Sequence, residues 1–240
     1  MSLTTGAGPS TARGHRVFAA VLVVVLLLWN NVVVAVVPSS AYVPLNCAAA
    51  AVLLGAARWS GLSWEQLGLS RSRVRAGLAW GGGAFALVAA LYATGLVVPG
   101  LQPLLADDRV AGADFGDIAG NVLVRIPLGT VLWEEVAFRG VLLAALARVL
   151  PLRSAVVVAA VVFGLWHVRP TLSGVAANDL ADGPWLVGLV VVLGCVATAA
   201  AGLLFTWLRL RSGSLLAPAL LHLATNAMGT VAAVAAHRLG

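Results

Sequence analysis

The sequence predicts an all-α, polytopic membrane bundle of about seven transmembrane helices with one interfacial amphipathic segment. Three observations predict it. Hydrophobic residues make up 61% of the 240 and charged residues only 10%, where a soluble domain carries roughly half and a quarter. The mean hydropathy is +0.99. Apolar runs of spanning length recur along the chain, with most basic residues held in the short connections between them. Such a chain cannot cover itself with a water-soluble shell. It also lacks the high charge and low hydrophobicity that keep a chain disordered. All 15 basic residues are arginine, and the net charge is +6. In a soluble protein a pI near 10.9 would suggest nucleic acid. Arginines confined to loops between apolar runs instead report membrane topology, and no nucleic-acid partner is expected. Cys47 and Cys195 both lie in apolar runs, which argues against a disulfide framework or a thiol-ligated metal.

The first run, Val17 to Val37, is 21 residues without a charge, enough to cross roughly 30 Å of hydrocarbon and longer than the core of a signal peptide. Residues 1–16 form a cytoplasmic tail ahead of it, and 17–240 form the bundle. A second run covers about Ala41 to Ala57. Arg58 to Arg75 carries Trp59, Trp64, Glu65 and several arginines and reads as the interfacial segment, its tryptophans at headgroup depth. A third span covers about Ala76 to Val98, and its Gly81-Gly82-Gly83 suggests close helix contact. Leu101 to Asp117 is a polar loop. A helical stretch of about Ile118 to Leu150, interrupted by Pro127, is too long for one span, so part of it must leave the hydrocarbon or line a cavity. A fifth span covers about Ala155 to Val168, followed by a loop to Pro184. The sixth covers about Trp185 to Leu208, and the last runs to about Ala236 with Pro218 in its first turn.

Arginine placement tests this plan. With a cytoplasmic N-terminus and seven crossings, ten arginines fall on the cytoplasmic side: Arg13, Arg16, Arg58, Arg71, Arg73, Arg75, Arg148, Arg153, Arg209 and Arg211. Only Arg109, Arg169 and Arg238 fall on the other side, and Arg125 and Arg139 lie within apolar segments. The split obeys the positive-inside rule. It implies an integral protein of a plasma membrane, and the all-arginine, Ala/Val-rich composition suits a high-GC bacterial genome.

Ionisable groups at bilayer depth cost at least roughly 2.5–3.5 kcal/mol and are usually functional or paired. Trp133-Glu134-Glu135-Val136-Ala137-Phe138-Arg139-Gly140 places three in one stretch, Phe163-Gly164-Leu165-Trp166-His167 adds a fourth, and His222-Leu223-Ala224-Thr225-Asn226 adds another imidazole and an amide. Residues four apart on a helix lie roughly 40° apart and neighbours roughly 100°. Glu135 and Arg139 therefore share a face and read as a structural ion pair, while Glu134 points elsewhere. Phe163 and His167 share a face, as do His222 and Asn226. Singly, each histidine is explained by a carbonyl or interhelical hydrogen bond. Together, a carboxylate, two imidazoles and an amide from three apolar helices suggest a wet cavity. There Glu134 and His167 could hold a water, with His222 and Asn226 donating to an oxyanion.

These motifs, in this order, resemble the CPBP or Abi family, which comprises the type II CAAX prenyl endopeptidases and their bacterial relatives. The family pattern is Glu-Glu-x-x-x-Arg, Phe-x-x-x-His and His-x-x-x-Asn/Asp, met here by Glu134-Glu135 with Arg139, Phe163 with His167, and His222 with Asn226. The resemblance covers roughly residues 74–236. It implies an intramembrane endopeptidase acting on a membrane-embedded or lipidated peptide or protein. Glu134, His167, His222 and Asn226 would then be catalytic, with Glu135, Arg139 and Phe163 supporting. Family members are often labelled metalloproteases. Glu134, His167 and His222 would suit zinc with one open position, but there is no His-Glu-x-x-His and asparagine is a poor zinc ligand, so no obligatory cofactor is expected. Two other classes remain: a non-catalytic scaffold or immunity protein on the same fold, and a small proton-coupled transporter, since intramembrane Glu and His also mark proton paths.

Overall fold

The computed structural model describes residues 9–239, with side chains from Ala12 onward. Helix α1 runs over Pro9–Leu28 and continues through a π-helical turn at Trp29–Val33 to Val36. It is followed by α2 (Tyr42–Trp59), α3 (Val74–Val97), a long composite helix α4 over residues 115–147, α5 (Leu152–Trp166), α6 (Val168–Ala177), α7 (Gly183–Ser212) and α8 (Leu216–Leu239). There is no strand among the described residues. The first eight residues of the expected tail and Gly240 lie outside the described residues, and residues 9–16 are already part of α1.

Six helical units are long and apolar enough to cross a membrane: α1, α2, α3, α5 with α6, α7 and α8. The remaining unit, α4, follows a different physical rule. Every residue from Trp133 to Leu143 is buried, which a helix achieves only when neighbours surround it on all sides. This part of α4 is therefore the centre of the bundle, its Glu135–Leu142 turns against α1, α2, α5 and α7, while the first half lies along α2 and leaves Leu123, Val124, Leu128 and Leu132 exposed. That position lets one stretch carry Glu134, Glu135 and Arg139 without presenting any of them to lipid. Its hydrogen bonding is π-type over Asn121–Leu132, which contains Pro127, and again over Glu135–Leu142. Wide turns of this kind occur preferentially at functional sites.

Two segments take a form the sequence left open or gave otherwise. The interfacial stretch holds no α-helix over residues 60–70. Gly61 and Gly68 adopt φ of +82° and +78°, a left-handed backbone that ends helices. The segment instead folds as turns that bury Leu62 and Leu67 and leave Trp59 and Trp64 exposed. It is pinned from below: Arg209 Nη2 donates to the Glu65 and Gln66 carbonyls at 3.3 and 2.9 Å, and Leu215 N donates to the Gly68 carbonyl at 2.9 Å. The Arg209 guanidinium fills the space a Cβ at Gly68 would need. The expected loop after His167 is also largely helical, as α6.

The break between α5 and α6 has a local cause. Pro170 has no N–H to give to the carbonyl of Trp166 four residues earlier. The helix stops at His167 and restarts, with Pro170 early in the new helix, where proline is tolerated. The loosened carbonyls are taken by α1: Asn30 Nδ2 donates to Trp166 O at 3.0 Å and Asn31 Nδ2 to Leu165 O at 3.2 Å, while Asn31 Oδ1 accepts from Arg169 N at 3.3 Å. Within hydrocarbon no water can do this work, so the bundle must.

Candidate active site

Glu134 leaves α4 toward α5 and α8. Its Oε1 accepts from the Trp166 indole N–H at 3.1 Å. Its Oε2 is buried with no hydrogen-bond partner, and lies 4.0 Å from His167 Nε2 and 3.9 Å from His222 Nε2. Both imidazoles are held by their other nitrogen. His167 Nδ1 donates to the Phe163 carbonyl at 2.7 Å, and His222 Nδ1 donates to Glu135 Oε1 at 2.8 Å. With those protons on Nδ1, each neutral ring turns a lone pair toward Glu134 Oε2. Three acceptors thus converge on one spot, an arrangement that is repulsive until a donor enters it. A water placed about 2.8 Å from two such atoms spans a separation near 4 Å at roughly a right angle.

Glu135 is occupied differently. Its Oε1 also accepts from Arg139 Nη1 at 3.0 Å, so this carboxylate joins a guanidinium to an imidazole. The ion pair read from the four-residue spacing is present, and His222 completes it. Arg139 is walled by rings, its Cζ 4.0 Å from the Phe163 centroid and 4.8 Å from that of Phe205, a desolvated setting in which ring faces attract a cation. Phe163 therefore does three things. It faces Arg139, packs edge-on to His167 with centroids 4.5 Å apart, and supplies the carbonyl that orients that imidazole.

Glu134, His167 and Asn226 all line one cavity of about 850 Å³, together with Asn30, Tyr42, Arg125 and Thr130, roofed by residues 104–110 of the α3–α4 connection. His222 is not on its wall; it sits one layer deeper, beneath Glu134. Asn226, one turn further along α8, is half-buried, and its carbonyl accepts from Thr230. Of the four residues singled out as catalytic, Glu134 has His167 and His222 within about 4 Å, and Asn226 shares the cavity wall with Glu134 and His167.

Glu134, His167 and His222 are donors that zinc accepts, at a wider spacing than zinc bonds give. Tetrahedral zinc with bonds of about 2.0–2.2 Å sets its ligands roughly 3.3–3.6 Å apart, and the carboxylate oxygen stands 3.9–4.0 Å from each imidazole nitrogen. No group of three acidic, histidine or cysteine side chains within metal-binding reach occurs among the described residues.

The sequence reading missed Trp166, Asn30 and Asn31. All three carried a signal. Trp166 adjoins His167 and must place its own N–H somewhere when buried. Two adjacent amides in the middle of an apolar span need partners.

The fold and the site together define an integral membrane protein built around a buried carboxylate–imidazole cluster that faces a cavity. Residues 120–228 match the model of one protein family, Type II CAAX prenyl endopeptidase Rce1-like. This stretch, which holds all three motifs, is similar to that family of endopeptidases. No curated protein and no solved structure matches the chain.

Proposed function

We propose that the protein is an intramembrane endopeptidase that hydrolyses a peptide bond of a membrane-associated substrate. The observation that carries this is the bare Oε2 of Glu134, buried, unpartnered and facing two imidazole nitrogens at the cavity wall. A water there donates to Glu134 and His167. Glu134 takes its proton as the oxygen attacks the scissile carbonyl, and the same proton is then delivered to the leaving amine. Asn226 donates to the developing oxyanion from the wall. His222, its Nδ1–H held by Glu135, supports Glu134 from the layer beneath. Trp166 fixes the rotamer of Glu134 through Oε1, which leaves Oε2 free for the water.

The supporting donor spacing suits water better than zinc, so the reading assigns no step to a metal. The test is cleavage of membrane-embedded candidate peptides by the purified protein in detergent or liposomes. Glu134→Gln keeps the shape and the Trp166 contact and removes the base. Cleavage should fall by about 10²–10⁴-fold, while the unfolding temperature stays near that of the parent. Normal cleavage by a well-folded Glu134→Gln protein would falsify the assignment. Strong chelators should leave activity in place. If they abolish it and zinc restores it, Glu134, His167 and His222 are ligands instead.

A further inference from the structure

The two ends of the bundle differ in charge, and the cavity that holds Glu134, His167 and Asn226 reaches only one of them. One end is identified by its hydrogen bonds. Arg148 Nη1 reaches Ser60 O at 2.7 Å, and Arg209 and Leu215 hold the carbonyls of residues 65–68. Connections 60–73, 148–151 and 213–215 therefore share this end, where α1 also begins. The opposite end is tied together as firmly. Asn178 Oδ1 accepts from Asp108 N at 2.8 Å, and the Asp107 carbonyl accepts from His237 at 3.0 Å. The α3–α4 connection, the α6–α7 connection and the end of α8 meet there.

Ten of the 15 arginines lie at the first end, with Glu65 the one acid beside them. All six aspartates lie at the second, in residues 107–117 and 179–182. All connections are short, so the arginine bias governs orientation. The cavity that exposes Glu134, His167 and Asn226 is roofed by Leu104, Asp107 and Arg109 and flanked by Asn178. It therefore opens at the arginine-poor end.

We infer that the site takes its substrate from the non-cytoplasmic face of the membrane, so that the cleaved segment belongs to an exported or membrane-anchored protein displaying a peptide on that surface. A lipidated C-terminus on the cytoplasmic leaflet would meet the arginine-rich end, where a smaller cavity of about 300 Å³ between residues 68–70 and the α7–α8 corner reaches Glu135 but not Glu134, His167 or Asn226. This inference rests on the proposed peptidase reading for its substrate class. The direction of opening stands on charge and geometry alone.

The experiment uses full-length protein with Cys47 and Cys195 replaced by alanine and one cysteine returned. Leu104→Cys and Gly100→Cys report the cavity end, and Ser72→Cys reports the other. All three positions are exposed, and a side chain at Gly100 meets open space. Cells are treated with a membrane-impermeant maleimide before or after lysis. Leu104→Cys and Gly100→Cys should label before lysis, and Ser72→Cys only afterwards. The reverse pattern, or equal labelling of both ends in intact cells, overturns the inference. Two positions at the cavity end guard against one variant misfolding. A second arm measures peptide cleavage in detergent, where orientation has no effect. Failure there with Glu134→Gln unchanged defeats the peptidase reading, whereas reversed labelling with cleavage intact defeats only the face of entry.

Discussion

Glu134 and Glu135 are neighbours of identical chemistry, and their surroundings assign them different work. Glu135 shares one oxygen between Arg139 and His222, both buried. Each glutamate keeps its other oxygen unpartnered, but that of Glu134, whose first oxygen is held by Trp166, faces two imidazole nitrogens at a cavity wall. The rotation of roughly 100° between adjacent helical residues is enough to separate the two fates. The balance around Glu135 is testable. Arg139→Leu leaves the Glu135 charge buried with one partner fewer and should destabilise the protein by about 3–5 kcal/mol, read as a fall in the thermal or denaturant midpoint in detergent. Adding Glu135→Gln should recover much of that loss, because both charges are then gone. A single mutant as stable as the parent would show that the pair is not carried as drawn.

At the level of elements, most spans were placed from hydropathy to within a few residues, since the apolar requirement of hydrocarbon is written directly into composition; α1 begins at Pro9 rather than Val17, and the fifth unit continues to Ala177 rather than Val168. What composition could not supply was which face each helix turns inward. The glycine triplet in α3 illustrates this. A Cβ at Gly81 would come within 2.9 Å of Ala217 Cα and 3.0 Å of its carbonyl oxygen, against backbone that cannot yield, whereas Gly82 and Gly83 meet nothing. Gly81→Leu should therefore push α3 off α8 and lower the unfolding midpoint, by about 1–3 kcal/mol in stability. Gly82→Leu should change little. Equal effects at both positions would contradict the close α3–α8 approach. The α5–α6 break is a second case. Pro170 was visible in the sequence, but the amides that make the break tolerable come from α1, more than a hundred residues away in the chain.

Taken whole, the molecule is a helix bundle packed around the second half of α4, and at the rim of the cavity a clasp forms in which Asp107 holds Arg109 and Asn178. The Arg109 guanidinium pulls the Asp107 carboxyl from 3.8 down to about 2. A carboxyl whose folded value is depressed contributes stability that is complete above its unfolded value and lost as pH falls toward its folded one. The clasp should therefore hold at pH 4 and open as acidity approaches pH 2. An NMR titration of Asp107 in detergent checks this; a midpoint near 4 would mean that the clasp does not form. Both partners are partly exposed, so high salt should weaken it.

The motif residues could be read from one dimension because each is an expensive group in an apolar run, and such a group persists only with partners or a purpose. Hydropathy likewise determined that the chain lives in a membrane, and arginine spacing which connections share a side. The partnerships were another matter. That Glu135 rather than Asn226 would take His222, that Trp166 would steady Glu134, and that the cavity would open beneath residues 104–110 all depend on contacts between segments far apart in the chain. Periodicity orders residues around a single axis, whereas hydrogen bonds and cavities are set by the distances and rotations between axes, which only the packed bundle defines.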